Sequence, residues 1–213
     1  MSSTNTYSKK DRKITEDLYH YFVQHDAEDG WGDRDKYGNF QQLIKLENYT
    51  KHHLNNASIL DVGCGTGDMS GFLRGYDIKE YLGIDIVELS LKLAQLKYPK
   101  EKFKKGDFLR LQFDQQYDFI FSSGTLAAVL ESDNYVIMEA FLKKMWSLAR
   151  YGVAYNFLVQ RFKGETDDTL FLYNLDTVLS ICKKLVPASQ THYELNRAGD
   201  NLEFLQAHVY LTR

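Results

Sequence analysis

The sequence predicts a single α/β domain. Its expected core is a seven-stranded, mostly parallel sheet with helices on both faces and an antiparallel C-terminal strand, preceded by a helical lid. Three observations point there. From residue 58 onward, short apolar runs bounded by turn residues alternate with stretches of helical periodicity, the pattern of a parallel sheet covered on both faces. The first of these runs ends in three glycines at every second position, Gly63, Gly65 and Gly67, and a helix-compatible stretch follows. The last two extended runs have no helical stretch between them, only Ala198-Gly199-Asp200-Asn201, which predicts a hairpin. The chain has 213 residues, only two prolines (Pro99 and Pro187) and no Ser/Pro/Gly-rich linker, so residues 1–55 are expected as a helical cap on a core spanning 56–213, within one domain.

Each element has its own signal. Residues 1 to about 10 are polar and expected to lack order. Ile14, Leu18, Phe22 and Val23 recur at helical spacing, and Leu43, Ile44, Leu46 and Tyr49 mark a second helix over roughly 39–52. Apolar runs predict strands at 58–62, 81–85, 101–105, 117–122 and 152–159, and helices are expected at 67–75, 87–97, 134–149 and 174–185. The closing runs, 188–195 and 202–212, supply the sixth and seventh strands, one of them expected as an antiparallel edge.

Glycine at a strand-to-helix turn opens positive φ and removes the Cβ that keeps a ligand away, and the amides of the next helix then face an anion. Which nucleotide-type ligand is meant follows from spacing. The dinucleotide fingerprint needs a third glycine at Asp68 or Ser70, and neither is one; a phosphate loop is absent. Asp85 ends the next apolar run, 18 residues beyond Gly67, where a carboxylate accepts ribose hydroxyls; as a strand-terminal acid it also suits capping of the helix near Val87. The pattern Asp61-x-Gly63-x-Gly65-x-Gly67, with Cys64 and Thr66 between, resembles the first motif of class I S-adenosylmethionine-dependent methyltransferases, which share a Rossmann-like fold. The resemblance extends loosely over most of the chain and is nearest to small bacterial members of unassigned substrate. It implies S-adenosyl-L-methionine as cofactor, with the loop around its methionine part and Asp85-Ile86 at the ribose. Asp107 is implied at the adenine amino group, Phe108 against the ring, and Ser122-Ser123 below the sulfonium. Cys64 reads as a small packing residue.

The resemblance also implies an in-line displacement at an activated methyl, needing a placed acceptor and exclusion of water, with a general base only if the acceptor must lose a proton. No catalytic residue is assigned. The [DN]-P-P-[FY] motif for nitrogen acceptors, a Pro-Cys pair and an acid at position 122 are all absent. His25 to Gly38 is dense in charge, glycine and aromatic rings. Asp33, Asp35 and Gly38 match three calcium-loop positions, but Tyr37 and Ile44 stand where ligands are required, so no metal is expected. A lid is the better reading, with Trp31 and Arg34 as acceptor-facing candidates. Asn156 and Tyr173 are the other two, in a pocket drawn from the lid, the 126–134 loop and the 160–173 loop.

Composition fits a soluble enzyme. Hydrophobic residues make up 44% of the chain, the net charge is −3, and no membrane-length apolar stretch or signal segment is present. Cys64 and Cys182 suggest neither disulfide nor metal site. The expectation is a cytoplasmic monomer or homodimer acting on a small polar molecule, with nucleic acid and membrane disfavoured as partners. Other readings are a non-catalytic S-adenosylmethionine-binding protein or regulatory subunit and, more weakly, an aminopropyltransferase or an RNA or protein methyltransferase.

Overall fold

The computed structural model describes residues 7–25, 33–198 and 204–213. The elements, in chain order, are α1 (Lys9–Gln24), α2 (Asp33–Leu43), α3 (Leu46–Tyr49), β1 (Ser58–Val62), α4 (Asp68–Phe72), β2 (Glu80–Asp85), α5 (Glu88–Lys97), β3 (Lys102–Lys105), β4 (Tyr117–Ser122), α6 (Asn134–Leu148), β5 (Ala149–Val159), α7 (Leu175–Leu185), β6 (Thr191–Ala198) and β7 (Phe204–Thr212). They build one sheet of order β3-β2-β1-β4-β5-β7-β6. Strands β1 to β5 are parallel, and β7 is antiparallel to both β5 and β6. The strand order reverses between β1 and β4, the place where an open α/β sheet leaves a crevice at its carboxyl ends.

Strands β1 and β4 are buried on both faces, which explains why apolar residues fall on both faces of each, with Asp61 and Asp118 as hydrogen-bonded exceptions. Leu60, Val62 and Ile120 face a core with Ile137, Met138, Phe141 and Val178 from α6 and α7. Ile59, Phe119 and Phe121 face a second core with Leu43, Leu46 and Met69 from α2, α3 and α4.

The structure corrects several boundaries. The expected helix over 39–52 starts at Asp33 and breaks at Ile44-Lys45, giving α2 and α3. Residues 73–75 form a 3-10 turn after the short α4, and 188–190 form another, so β6 begins at Thr191. The antiparallel strand is β7, but it is not the edge: the hairpin folds β6 outward, so β6 runs with β1 to β5 and takes the edge beyond β7. The turn of that hairpin, 199–203, lies outside the described residues. Residues 106–116, between β3 and β4, contain no helix.

Candidate functional site

A cleft of about 1090 Å³, counting the solvent at its mouth, opens at the carboxyl ends of β1, β2 and β4, with its floor at the glycine turn. Gly63, Gly65 and Gly67 all have positive φ. Gly63 is at +74°, and a Cβ there would lie 2.2 Å from Thr125 Oγ1, so the loop after β4 is seated directly on the loop after β1. Thr125 Oγ1 donates to the Val62 carbonyl at 2.9 Å and accepts from Ser122 Oγ at 2.9 Å, fixing that contact.

Asp85 sits at the tip of β2. One carboxylate oxygen accepts from the Gly65 amide and the other from the Val87 amide, both at 2.8 Å. It therefore ties the glycine turn to the start of α5. A carboxylate oxygen carries two lone pairs, so each can accept more than one hydrogen bond. Asp107 accepts from the Leu109 amide at 2.9 Å and stands 3.3 Å from both Arg12 Nη1 and Arg110 Nε. Phe108 lines the cleft while packing on Phe141 and Phe113, with ring centroids 5.4 and 5.8 Å away, and the Lys144 ammonium lies 5.2 Å from its own centroid.

Asp61 is buried in β1 and accepts from Tyr81 Oη at 2.6 Å. Burial pushes its carboxyl up to about 7, against the Tyr81 hydrogen bond. Asp68 shows the opposite balance. Burial acts to raise it, but Lys36 at 2.8 Å, Thr66 at 2.8 Å and Lys97 at 3.1 Å outweigh that and hold it at about 2.

Of the residues singled out in the sequence, Asp61, Gly63, Cys64, Gly65, Asp85, Ile86, Asp107, Phe108 and Ser123 line the cleft. Thr66, Gly67 and Ser122 stand behind it: Thr66 donates to Asp68, Gly67 caps α4 in the left-handed conformation against Phe103, and Ser122 braces Thr125. Asn156 and Tyr173 also lie outside the cleft lining. Asn156 Oδ1 accepts from the Gly124 amide at 2.7 Å, and the Tyr173 hydroxyl donates to the Leu126 carbonyl at 2.9 Å, so both hold the cleft wall from behind. The 160–173 loop does the same, through the Phe171 amide on the Ala127 carbonyl at 2.8 Å. Trp31 lies outside the described residues, as do residues 26–32 of the expected lid and the side chain of Arg34.

The cover that is described is α1 itself. Tyr7, Thr15 and Tyr19 line the cleft, and the Tyr19 hydroxyl donates to the Gly124 carbonyl. Ile14, Leu18, Phe22 and Val23 are only half-buried, whereas Asp11 and Thr15 are the buried residues of this helix. The sequence signal for that face was Asp11, Thr15 and Tyr19 at four-residue spacing, a polar stripe aimed at a polar site. Lys36, Phe40 and Thr125 are further cleft residues that the sequence reading passed over.

Among the described residues no cluster of His, Cys, Asp and Glu could hold a metal, and no helix is long and apolar enough to cross a membrane. Residues 59–152 match a family model described as a methyltransferase domain. A 73-residue stretch is 40% identical to an mRNA cap guanine-N(7) methyltransferase of Candida albicans; it covers 32% of this chain and 15% of that relative. Among solved structures, magnesium protoporphyrin IX methyltransferase from Synechocystis PCC 6803, with bound S-adenosylhomocysteine, superposes with a TM-score of 0.72 at 14% identity, covering 95% of this chain and 100% of that one. A TehB-like S-adenosylmethionine-dependent methyltransferase from Corynebacterium glutamicum gives a TM-score of 0.54 at 20% identity, over 81% and 88% of the two chains.

Proposed function

We propose that this chain is a class I S-adenosylmethionine-dependent methyltransferase, a reading supported by the methyltransferase-domain match and the shared fold, and that it binds S-adenosylmethionine in the cleft and transfers its methyl group to a small polar acceptor. One observation carries this reading: the glycine turn, Asp85, and Asp107 with Phe108 line one continuous cleft at the strand order reversal. The donor set suits the ligand. Asp68, Asp85 and Asp107 present acceptors and negative charge, and the ligand offers ribose hydroxyls, an adenine amino group, an ammonium and a sulfonium. Phe108 supplies the apolar wall for a ring.

Bound S-adenosylmethionine would supply an activated methyl on sulfur. The remaining work belongs to the chain. Asp85 would hold the ribose, Asp107 the adenine edge, and Gly63 to Gly65 the methionine part. Tyr7 just before α1 and Thr15 and Tyr19 on it, with Phe40 and Leu126, close the cleft against water. Burial raises the Tyr7 and Tyr19 phenols well above their ordinary value, so both act as neutral hydrogen-bonding groups rather than as bases near pH 7.

The net charge of −3 supports a small acceptor over a polyanion. The stretch shared with the cap methyltransferase favours a second reading, an RNA or nucleotide acceptor, although it spans little of that relative. Incubation with methyl-labelled S-adenosylmethionine and separated metabolite, RNA and protein fractions distinguishes them. Label in the metabolite fraction is expected; label confined to RNA or protein would contradict the small-acceptor reading.

A further inference from the structure

The sheet has two open edges, and the sequence treats them differently. One edge, β3, has four residues, and three of them are lysines, Lys102, Lys104 and Lys105. A short, charged edge resists pairing with another strand. The other edge, β6, has eight residues, Thr191–Ala198, without a proline, and among the described residues only β7 pairs with it. Its outer side therefore offers a row of backbone N–H and C=O groups. Tyr193 and Leu195 are 47% and 44% exposed on this strand. Both stand on the face that carries α7, because their partners in β7, Val209 and Ala207, pack in the core with Val178 and Ile181. Glu194 stands on the other face, opposite His208, where Lys45 and Tyr49 donate to it.

We propose that β6 is a homodimer interface, where the β6 of a second copy adds antiparallel across a two-fold axis and makes one continuous sheet. The occupant is a second copy because the edge is self-complementary in one register. A two-fold axis perpendicular to the sheet keeps like faces together, so it must pass through one residue position. Centred on Glu194, it sets two carboxylates directly opposite each other, which is destabilising. Centred on Tyr193 or on Asn196, it leaves only positions 191–195 or 194–198 of the strand to pair. Centred on Leu195, it pairs positions 192–198. Leu195 then meets its own copy, and Tyr193 lies diagonal to that leucine, within reach of it. Tyr193 also stands opposite the Arg197 guanidinium of the second copy, a cation against a ring face, and Glu194 stands opposite Asn196. Pairing β6 with the β3 edge of another copy would use only the four lysine-rich residues and would not close. Such an interface is small, so the dimer is reversible, with a dissociation constant of about 1–100 µM. Strands β5 and β7 separate β6 from the strands that form the cleft, so the pairing leaves the cleft free.

Sedimentation velocity of the full chain from about 1 to 200 µM tests the interface. The wild type is expected to pass from monomer to dimer across that range. Leu195→Lys sets two ammonium groups opposite each other at an exposed position, and is expected to stay monomeric with an unchanged far-ultraviolet spectrum. A wild type that stays monomeric throughout, or a dimer that Leu195→Lys leaves intact, overturns the proposal. Mild oxidation of cysteine variants reads the register independently. In the pairing centred on Leu195, the two copies of position 195 stand about 5 Å apart and the two copies of position 193 about 13 Å apart. Leu195→Cys is therefore expected to form a covalent dimer and Tyr193→Cys is not, whereas Tyr193→Cys combined with Arg197→Cys is. The wild type supplies the background, since Cys64 and Cys182 are buried. A covalent dimer of Tyr193→Cys alone, or none of Leu195→Cys, overturns the pairing.

Discussion

Asp61 and Asp68 flank the glycine turn and are shifted in opposite directions by the same burial. Among the described residues Asp61 has one strong hydrogen-bond donor, Tyr81, and no cation beside it, so desolvation wins and raises it to about 7. A folded-state value above the unfolded one means that the folded protein keeps a proton the unfolded chain releases. The stability from Asp61 is therefore full below about pH 4 and lost as pH rises through about 7. Asp68 is held at about 2 by Lys36, Thr66 and Lys97, so its contribution is present above about pH 4 and lost as pH falls toward 2. Burial lowers His208 to about 4, an opposite contribution over the same window, so the test is the difference between proteins: in chemical denaturation across pH, the stability of the wild type relative to Asp61→Asn should fall between about pH 4 and 7; a difference independent of pH would contradict the assignment. At Gly63 the constraint is steric. Gly63→Ala places a Cβ against Thr125 and strains a left-handed backbone worth about 1–2 kcal/mol alone. The expected result is that loss or more in denaturant unfolding, with cofactor affinity reduced as well.

At the scale of elements, α1 is fastened to the cleft rim by polar contacts rather than by an apolar stripe. Asp11 closes a capping box with Ser8 and accepts from both the amide and the hydroxyl of Ser132, at 3.0 and 2.6 Å. Burial acts to raise Asp11, but those hydrogen bonds from Ser132 and Ser8 hold it at about 2. Asp11→Ala removes the carboxylate half of the capping box and the clasp together while the Ser8 cap remains, and a loss of about 2 kcal/mol is expected. Limited proteolysis should then cut within α1 sooner than in the wild type; equal rates would show that the clasp does not hold the helix. The other end of the sheet carries an opposite case. Gln206 is buried in β7 and its Nε2 has no hydrogen-bond partner. Gln206→Met, of similar shape and without that donor, is expected to raise the melting temperature by about 2–4 °C, corresponding to roughly 1 kcal/mol.

At the scale of the molecule, the sheet order, with its reversal between β1 and β4, sets three acid-bearing strand ends around one cleft. That much was legible in the sequence because the signals are local. Ile59 to Gly67 carries strand, turn and glycines in one stretch, and Asp85 and Asp107 each follow their own apolar or charged strand. What was not legible joins distant parts of the chain. Lys36 meets Asp68 across 32 positions, Arg12 meets Asp107 across 95, and Tyr19 meets Gly124 across 105. Asn156 and Tyr173 illustrate the converse. Both are polar groups near the right strand end, but Asn156 Oδ1 and the Tyr173 hydroxyl are used on the backbone of the cleft wall, and sequence alone does not tell on which side of a wall a side chain falls. The proposed function depends on the cleft being an S-adenosylmethionine site with Asp85 at the ribose. Calorimetric titration of S-adenosylhomocysteine into the wild type and into Asp85→Ala tests it most directly. One site per chain is expected, with a dissociation constant well below about 1 mM, near −4 kcal/mol, and at least about tenfold weaker binding in the variant; no binding by the wild type at millimolar ligand, or equal affinity in the two proteins, would contradict the claim.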